Sequence, residues 1–464
     1  MDVLFIEPPG RYLRIMGSLG KHKADFLWQP FDHLVMAGYL RKEIPEIEFK
    51  IIDARDEDFK YVKKMVRRYK PAVVVFNTCV TSIDNDLKIV DTVREVNEDI
   101  VTIATGQVLK ALGIYAMKKS KDLDFAIIDP EPEYALIQLL KTNFNPKTGV
   151  CYRDGDFIKK ITKLPYSNKI DVNELGIPAH DMVDNTKYYD IFQRRKNFAL
   201  VYGSRGCRYG LCSFCSCPRN YQPMRLRNIN TIIEELKWLV NDFDVHDIKW
   251  WDAEINQDLE WCKNLFSRIT EEEIDIVWQA NLRADLVPMW LLKLMKKAGC
   301  YHVSIGLESA NLTILKNVRK GITPDMIERT VRKLKNVGID FMLYSLVGLP
   351  GETKETIEET RKFIYNLGCP ATFGIAVPNP GTEFYDWIVS NGYLRTNDYS
   401  KFDTGKPPVY DYLSISSEEM YEESKKGYRM FLTPKYVVKT LFNIRSFRQL
   451  KTVLKTGIKI IRGD

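Results

Sequence analysis

The residues with the most specific chemistry lie in one short segment, GSRGCRYGLCSFCSCP at 203–218, which holds four of the nine cysteines within eleven residues. Cys207, Cys212 and Cys215 stand as C-x4-C-x2-C in a polar, glycine-rich loop, and Cys217 follows two residues later. Thiolates are the usual ligands of iron–sulfur clusters. Three of them on a cubane would secure three irons and leave the fourth open to a substrate or cofactor. With Cys217 as a fourth ligand, the same loop could instead hold a structural zinc ion. The other five cysteines are scattered, and an odd count behind a start that reads as a β-strand, MDVLFIEPPGRYLR, argues against a secreted disulfide scaffold.

Such a loop needs a rigid support. Over the first 150 residues, short Val- and Ile-rich runs (VLFIEP, FKIID, AVVVFN, IVTIAT and DFAII) alternate with helical patterns such as DNDLKIVDTVREVNE. That alternation predicts a doubly wound, Rossmann-like parallel sheet over 1–145, with ligands at the carboxyl ends of its strands. Those ends carry GQVLKALG at 106–113 and DPEPE at 129–133. Asn, Pro, Gly and Asp punctuate 146–197, which reads as a linker. From Phe198 to about 400 six strand-first units follow, suited to a full or partial βα barrel with its chemistry at the C-terminal strand ends. Residues 401–464 read as a loop, a helix and a basic tail.

With the cysteine loop placed after the first barrel strand, the sequence resembles the radical S-adenosylmethionine (SAM) superfamily. The usual motif there is C-x3-C-x2-C with an aromatic residue before the last cysteine, where Phe214 stands. This chain has one extra residue between the first two cysteines, which leaves Cys217 available as a substitute ligand. Later segments match in order: Asp252 and Glu254 in WWDAEIN, Arg283 in WQANLRADL, Glu308 and Ser309 in SIGLES, and Gly348 and Pro350 in LVGLPGET. Arg225 and Arg227 match a family R-x-R after the cluster loop. The resemblance implies a partial (β/α)6 barrel in which Cys207, Cys212 and Cys215 hold a 4Fe–4S cluster and the later motifs hold SAM. It also implies one-electron cleavage of SAM to a 5′-deoxyadenosyl radical that abstracts hydrogen from unactivated carbon. An electron donor such as flavodoxin or ferredoxin is then required.

The order of parts resembles the cobalamin-dependent branch, with anaerobic magnesium-protoporphyrin ester cyclases, hopanoid-modifying enzymes and C-methyltransferases. That implies cobalamin between the domains, near Gly106, Gln107 and Val108, or else a first domain kept only as scaffold. The D-x-H-x-x-G cobalt-binding motif is absent, and only His22 and His33 fall in the first 150 residues. Three functions follow from these residues: a methylase of an unreactive carbon, a radical oxidoreductase or cyclase, and a non-enzymatic redox or zinc scaffold.

The chain is 45% hydrophobic and 28% charged, with no run of 18 apolar residues. Its net charge of +7 resides in 434–464, where eight cations accompany one acid. The balanced body gives no sign of nucleic-acid binding. The tail interleaves Val437, Val438, Leu441, Phe442, Ile444 and Phe447 with those cations, a pattern for helices docked on the barrel or lying in a membrane interface. The expectation is a cytoplasmic protein with a small-molecule or lipid-like substrate, its tail either packed on the barrel, the favoured alternative, or in peripheral contact with a membrane.

Overall fold

The computed structural model describes residues 1–10, 26–162, 171–220 and 223–432. The first sheet is built from β1 (Val3–Glu7), β2 (Phe49–Asp53), β3 (Val73–Asn77), β4 (Val101–Thr105), β5 (Phe125–Ile127), β6 (Val150–Asp154) and β7 (Phe157–Ile161). Its order is β2-β1-β3-β4-β5-β6-β7, the first five strands parallel. β1 and β3 are buried along their whole length, which the continuous Val/Ile/Phe runs require of strands covered on both faces. The sheet runs past the expected boundary at 145. β6 and β7 form an antiparallel hairpin on its edge, turning through Gly155 at φ +60°.

The second sheet comprises β8 (Phe198–Val201), β11 (Asp247–Trp250), β12 (Val277–Leu282), β13 (Cys300–Glu308), β14 (Asp340–Val347) and β15 (Ala371–Ile375). Between the first two lie the two-residue strands β9 (Ser204–Arg205) and β10 (Arg225–Leu226). The order β15-β14-β13-β12-β11-β8 is parallel throughout and leaves β8 and β15 as edges, so the barrel is a partial, open one. The intervening helices begin where sequence supplies caps: Asp258, Thr323 and Thr353 each accept a backbone N–H of the first turn. Gly338 and Gly368 end two of them in the left-handed conformation.

The connection between sheets is packed along part of its length. Asp190, buried, accepts hydrogen bonds from the Trp28 indole at 2.8 Å and the Gln279 amide at 3.0 Å, and Phe192 stacks on His302. Beyond the barrel, the helix Ser417–Arg429 covers β15, with Gly427 so close to the Phe373 ring that a Cβ would lie 2.3 Å from it. The amphipathic basic tail lies outside the described residues.

Candidate active site

The cysteine loop spans the gap between β9 and β10 at the mouth of the barrel. Gly206 and Gly210 take positive φ and let the chain turn tightly around Cys207. Gln257 holds the first turn, accepting the Arg208 N–H at 2.6 Å and donating to the Gly206 carbonyl at 3.2 Å. The far side rests on the turn after the helix Leu312–Asn317: Tyr209 donates to the Arg319 carbonyl at 2.8 Å, and the Ser213 N–H to that of Val318 at 3.1 Å.

The four cysteines are grouped. The Cys207 thiol donates to Glu254 Oε1 at 3.4 Å and accepts the Gly210 N–H at 3.5 Å, while Cys215 Sγ accepts the Cys217 N–H at 3.4 Å. A hydrogen bond from the Cys217 thiol, more than any other contact, pulls Cys207 well below the ordinary thiol range. Burial pushes Cys212 up to about 11 and also raises Cys215. The thiolate is the form that binds metal, and the loop stabilises it first at Cys207.

The other expected residues divide by what they touch. Glu254 reaches the cysteines, and burial, then the neighbouring Cys207, lifts it to about 8. Arg283 lies over the Tyr209 ring at 3.9 Å and donates to the Lys320 carbonyl at 2.8 Å. Glu308 takes φ +61° at an irregularity in β13 and pairs with Lys320 Nζ at 2.8 Å. A non-glycine residue held there is uncommon and marks constrained backbone near Cys212 and Cys215.

Asp252 instead ties the barrel strand to the loop, accepting the Gly203 N–H at 2.9 Å and the Ser204 hydroxyl. Ser309 is buried against Thr360 at 3.2 Å. Gly348 and Pro350 form a turn whose backbone is already engaged by Glu352, Tyr410, Tyr412 and Asn317. Lys320 escaped sequence reasoning. It is partly buried beside Glu308, which with Cys212 favours its charge against the cost of burial. It sits in an RKG turn with no spacing rule to flag it.

Opposite the loop, the first sheet supplies a second wall. A cavity of about 290 Å³ is bounded on that side by Asn77, Thr105, Gly106 and Gln107, and on the other by Gly206, Cys217, Trp251 and Asp252. Gly106, at φ +127°, lies so near Thr78 that a Cβ would stand 2.3 Å from its carbonyl oxygen. Val108, expected beside these residues, packs into the first domain's core. Cys79 gives its N–H to Asp86 and does not line this cavity. His33 is buried against Phe5 and 3.8 Å from Glu7, and does not line it either; His22 lies outside the described residues.

Residues 201–364, from the end of β8 to the middle of the helix Lys354–Leu367, match the radical SAM superfamily. They are a radical SAM domain. The whole chain is similar to an uncharacterized methyltransferase of Pyrococcus horikoshii, 27% identical over 459 residues and covering 96% of each chain. It is similar also to the anaerobic magnesium-protoporphyrin IX monomethyl ester cyclase of Rubrivivax gelatinosus, 26% identical over 93% of this chain and 80% of that one. Among solved structures, the cobalamin-dependent SAM radical enzyme OxsB, with aqua-cobalamin and SAM bound, superposes with a TM-score of 0.73 at 15% identity, over 98% of this chain and 70% of that one. The fold is shared over that span.

The radical SAM domain's donor set fits a cluster. Three partly buried thiols lie on one loop, the partly buried Lys320 amine lies near to offset thiolate charge, and Glu254 is hydrogen-bonded to the first thiol. Among the described residues, no three His, Cys, Asp or Glu side chains converge as a single metal ion requires. The fit to a larger cluster rests on the thiol set itself.

Proposed function

We propose that the chain is a cobalamin-dependent radical SAM methyltransferase that places a methyl group on an unactivated carbon. The observation that carries this reading is a cavity lined by Gly206, Ser216 and Cys217 of the cysteine loop on one side and by the strand ends of a doubly wound sheet on the other. The relative named as a methyltransferase and the cobalamin-containing structure with the same fold support it.

Cys207, Cys212 and Cys215 would hold the 4Fe–4S cluster. Glu254, Arg283, Glu308 and Lys320, around the loop, would hold the polar end of SAM. Asn77, Gly106 and Gln107 would meet cobalamin through amides and backbone, with no histidine among the cavity-lining residues. Bound there, the three groups supply one-electron cleavage of a sulfonium and a transferable methyl. The chain's own work is placement and exclusion. Phe31, Tyr202 and Trp251 would wall the cavity with aromatic surface, while Glu254 Oε1 lies 3.4 Å from Cys207 Sγ, at the edge of the loop.

A second reading, a cyclase or oxidoreductase forming C–C or C–O bonds, is favoured by the likeness to the cyclase of Rubrivivax gelatinosus. Product analysis decides between them. Anaerobic turnover with SAM should give S-adenosylhomocysteine with a methylated product; 5′-deoxyadenosine without methyl transfer would replace the first reading by the second. Iron, sulfide and cobalt per chain test the cofactor set.

The proposal includes a small-molecule or lipid-like substrate and a flavodoxin- or ferredoxin-like donor. No helix among the described residues is long and apolar enough to cross a membrane. Peripheral attachment would rest on the tail, whose basic residues would each add about 1 kcal/mol near an anionic surface. The intact protein should then float with anionic liposomes at low salt, and a chain ending at Leu432 should not. If neither floats, the tail serves packing and the lipid-like substrate loses its physical support.

A further inference from the structure

The neck of the cysteine loop is a two-residue antiparallel ladder, with Arg225 opposite Arg205 and Leu226 opposite Ser204. Like charges directly opposite on paired strands repel. Here both are neutralised from the other domain. Glu131, fully buried, meets Arg225 with both oxygens at 2.7 and 2.9 Å, and its Oε1 also accepts from Arg205 at 3.2 Å. Glu133, also buried, takes Arg205 with both oxygens, at 2.5 and 3.1 Å. Paired N–H donors on a carboxylate make the most direction-specific ion pairs proteins use.

The two glutamates project from DPEPE, just after β5. Pro130 and Pro132 limit its backbone, and Asp129 Oδ1 accepts the Glu131 N–H at 3.1 Å. The first domain thus offers two carboxylates on a stiff turn, and both arms of the cysteine loop end on them. Arg205 is two residues before Cys207, and Arg225 ten after Cys215. The barrel holds the tip of the loop through Gln257, Val318 and Arg319 and the Ser204 side of the neck through Asp252 and Gln257, while the carboxylates that meet the two arginines come from the first domain.

We infer that Glu131 and Glu133 are positioning residues for the cysteine loop: the first domain holds the loop's neck closed and thereby sets the place of the three thiols. The first sheet is then part of the cluster site as well as the opposite wall of the cavity. This rests on the radical SAM reading only for the nature of the group that the loop holds.

The test uses the full chain, reconstituted anaerobically with iron and sulfide. Iron and sulfide per chain, the rate of iron loss to a chelator and the electron paramagnetic resonance signal of the reduced cluster are compared for wild type, Glu131→Gln, Arg225→Gln and the double variant. Removing one partner of a buried ion pair leaves the other uncompensated, so each single variant should lose iron about tenfold faster. The double variant should lose much less than the product of the two effects, because the residues act through one contact. The resonance signal should broaden in the single variants. Glu43→Gln, which breaks only an exposed pair with Lys141, should match wild type.

Circular dichroism checks folding. If Glu131→Gln does not fold, Arg225→Lys and Arg225→Gln, on the more exposed partner, carry the test: lysine should restore part of the retention that glutamine loses. Folded variants that keep iron as wild type does, or single effects that simply multiply, would overturn the inference alone. A wild type that takes up no cluster would overturn it together with the radical SAM reading.

Discussion

At the ends of β3 and β4 the first sheet presents Asn77, Thr105, Gly106 and Gln107 to the cavity; at the ends of β8 and β11 the second presents Ser204, Trp251 and Asp252, with the cysteine loop beside them. The same strand-end geometry carries two kinds of chemistry. One wall has the Cys217 thiol, the Asp252 carboxylate and the Arg205 cation, with Cys207, Cys212, Cys215, Glu254 and Arg283 grouped around the same loop, groups that hold a ligand by bonds and charge. The other offers the amides of Asn77 and Gln107, the Thr105 hydroxyl and bare backbone at Gly106, which hold a ligand by shape and hydrogen bonds; of its carboxylates, Glu133 is taken up by Arg205 and Asp32 is exposed. Bonds to a cluster demand particular residues at particular spacings and so leave a motif. Shape can be met by many sequences and leaves at most a glycine where a side chain would not fit.

The largest effect should come from the charged wall. Replacing Cys207, Cys212 or Cys215 by Ala should abolish the iron–sulfur absorption and SAM cleavage while leaving the other wall able to bind cobalamin. Cys217→Ala should retain most of the cluster, since Cys217 donates hydrogen bonds to Cys207 and Cys215 without replacing them. Iron analysis and absorbance under anaerobic conditions check both. A Cys217→Ala protein that loses its cluster, beside a Cys215→Ala protein that keeps it, would reassign the ligands.

The shape wall should break separately. Gly106→Ala places a Cβ against the Thr78 carbonyl at a φ that L-residues rarely adopt, at a cost of about 2–4 kcal/mol. Cobalamin affinity, measured by equilibrium dialysis, should fall by about tenfold or more for each 1.4 kcal/mol that reaches the binding site, with iron content unchanged. Loss of iron in the same variant would show that the two walls are not independent.

This division also explains what could be read beforehand. Alternating Val/Ile runs and amphipathic helices gave both sheets, because strands covered on two faces have little choice of residue. The hairpin of β6 and β7 is hidden in the stretch that reads as linker because Pro146, Gly149, Asp154 and Gly155 break up its short apolar runs, and it is half exposed at a sheet edge. Motif order led to Glu254, Arg283 and Glu308 near the cysteines. It also marked Asp252 and Ser309, whose side chains are spent on holding turns, since a motif records a position and not which atoms remain available. Lys320 and the pairing of Glu131 with Arg225 depend on residues brought together by the fold from distant places in the chain, and no local pattern encodes that.

The smallest expected effect concerns a strand-end carboxylate away from the cavity. Glu352, in the turn after β14, is completely buried; its Oε2 accepts the N–H groups of Gly348 and Leu349 at 2.6 and 3.2 Å, and its Oε1 has no partner. Burial lifts it from 4.5 to about 8. Between those values the folded protein keeps a proton that the unfolded chain releases, so this group's contribution to stability falls as pH rises through the window. Asp129, its counterpart after β5 with one oxygen unpartnered, is lifted to about 7, again chiefly by burial. Glu352→Gln keeps an acceptor for both N–H groups and removes the titration. The variant should match wild type near pH 4 and exceed it by about 1–3 kcal/mol at pH 8, after allowing for relaxation of the buried site. Asp129→Asn should show a smaller gain that levels off near pH 7, where the folded protein releases that proton. Thermal melts at pH 4, 6 and 8 measure both. A Glu352→Gln protein whose advantage does not grow with pH would mean that this carboxylate is ionised in the folded chain and that the turn after β14 is open to water.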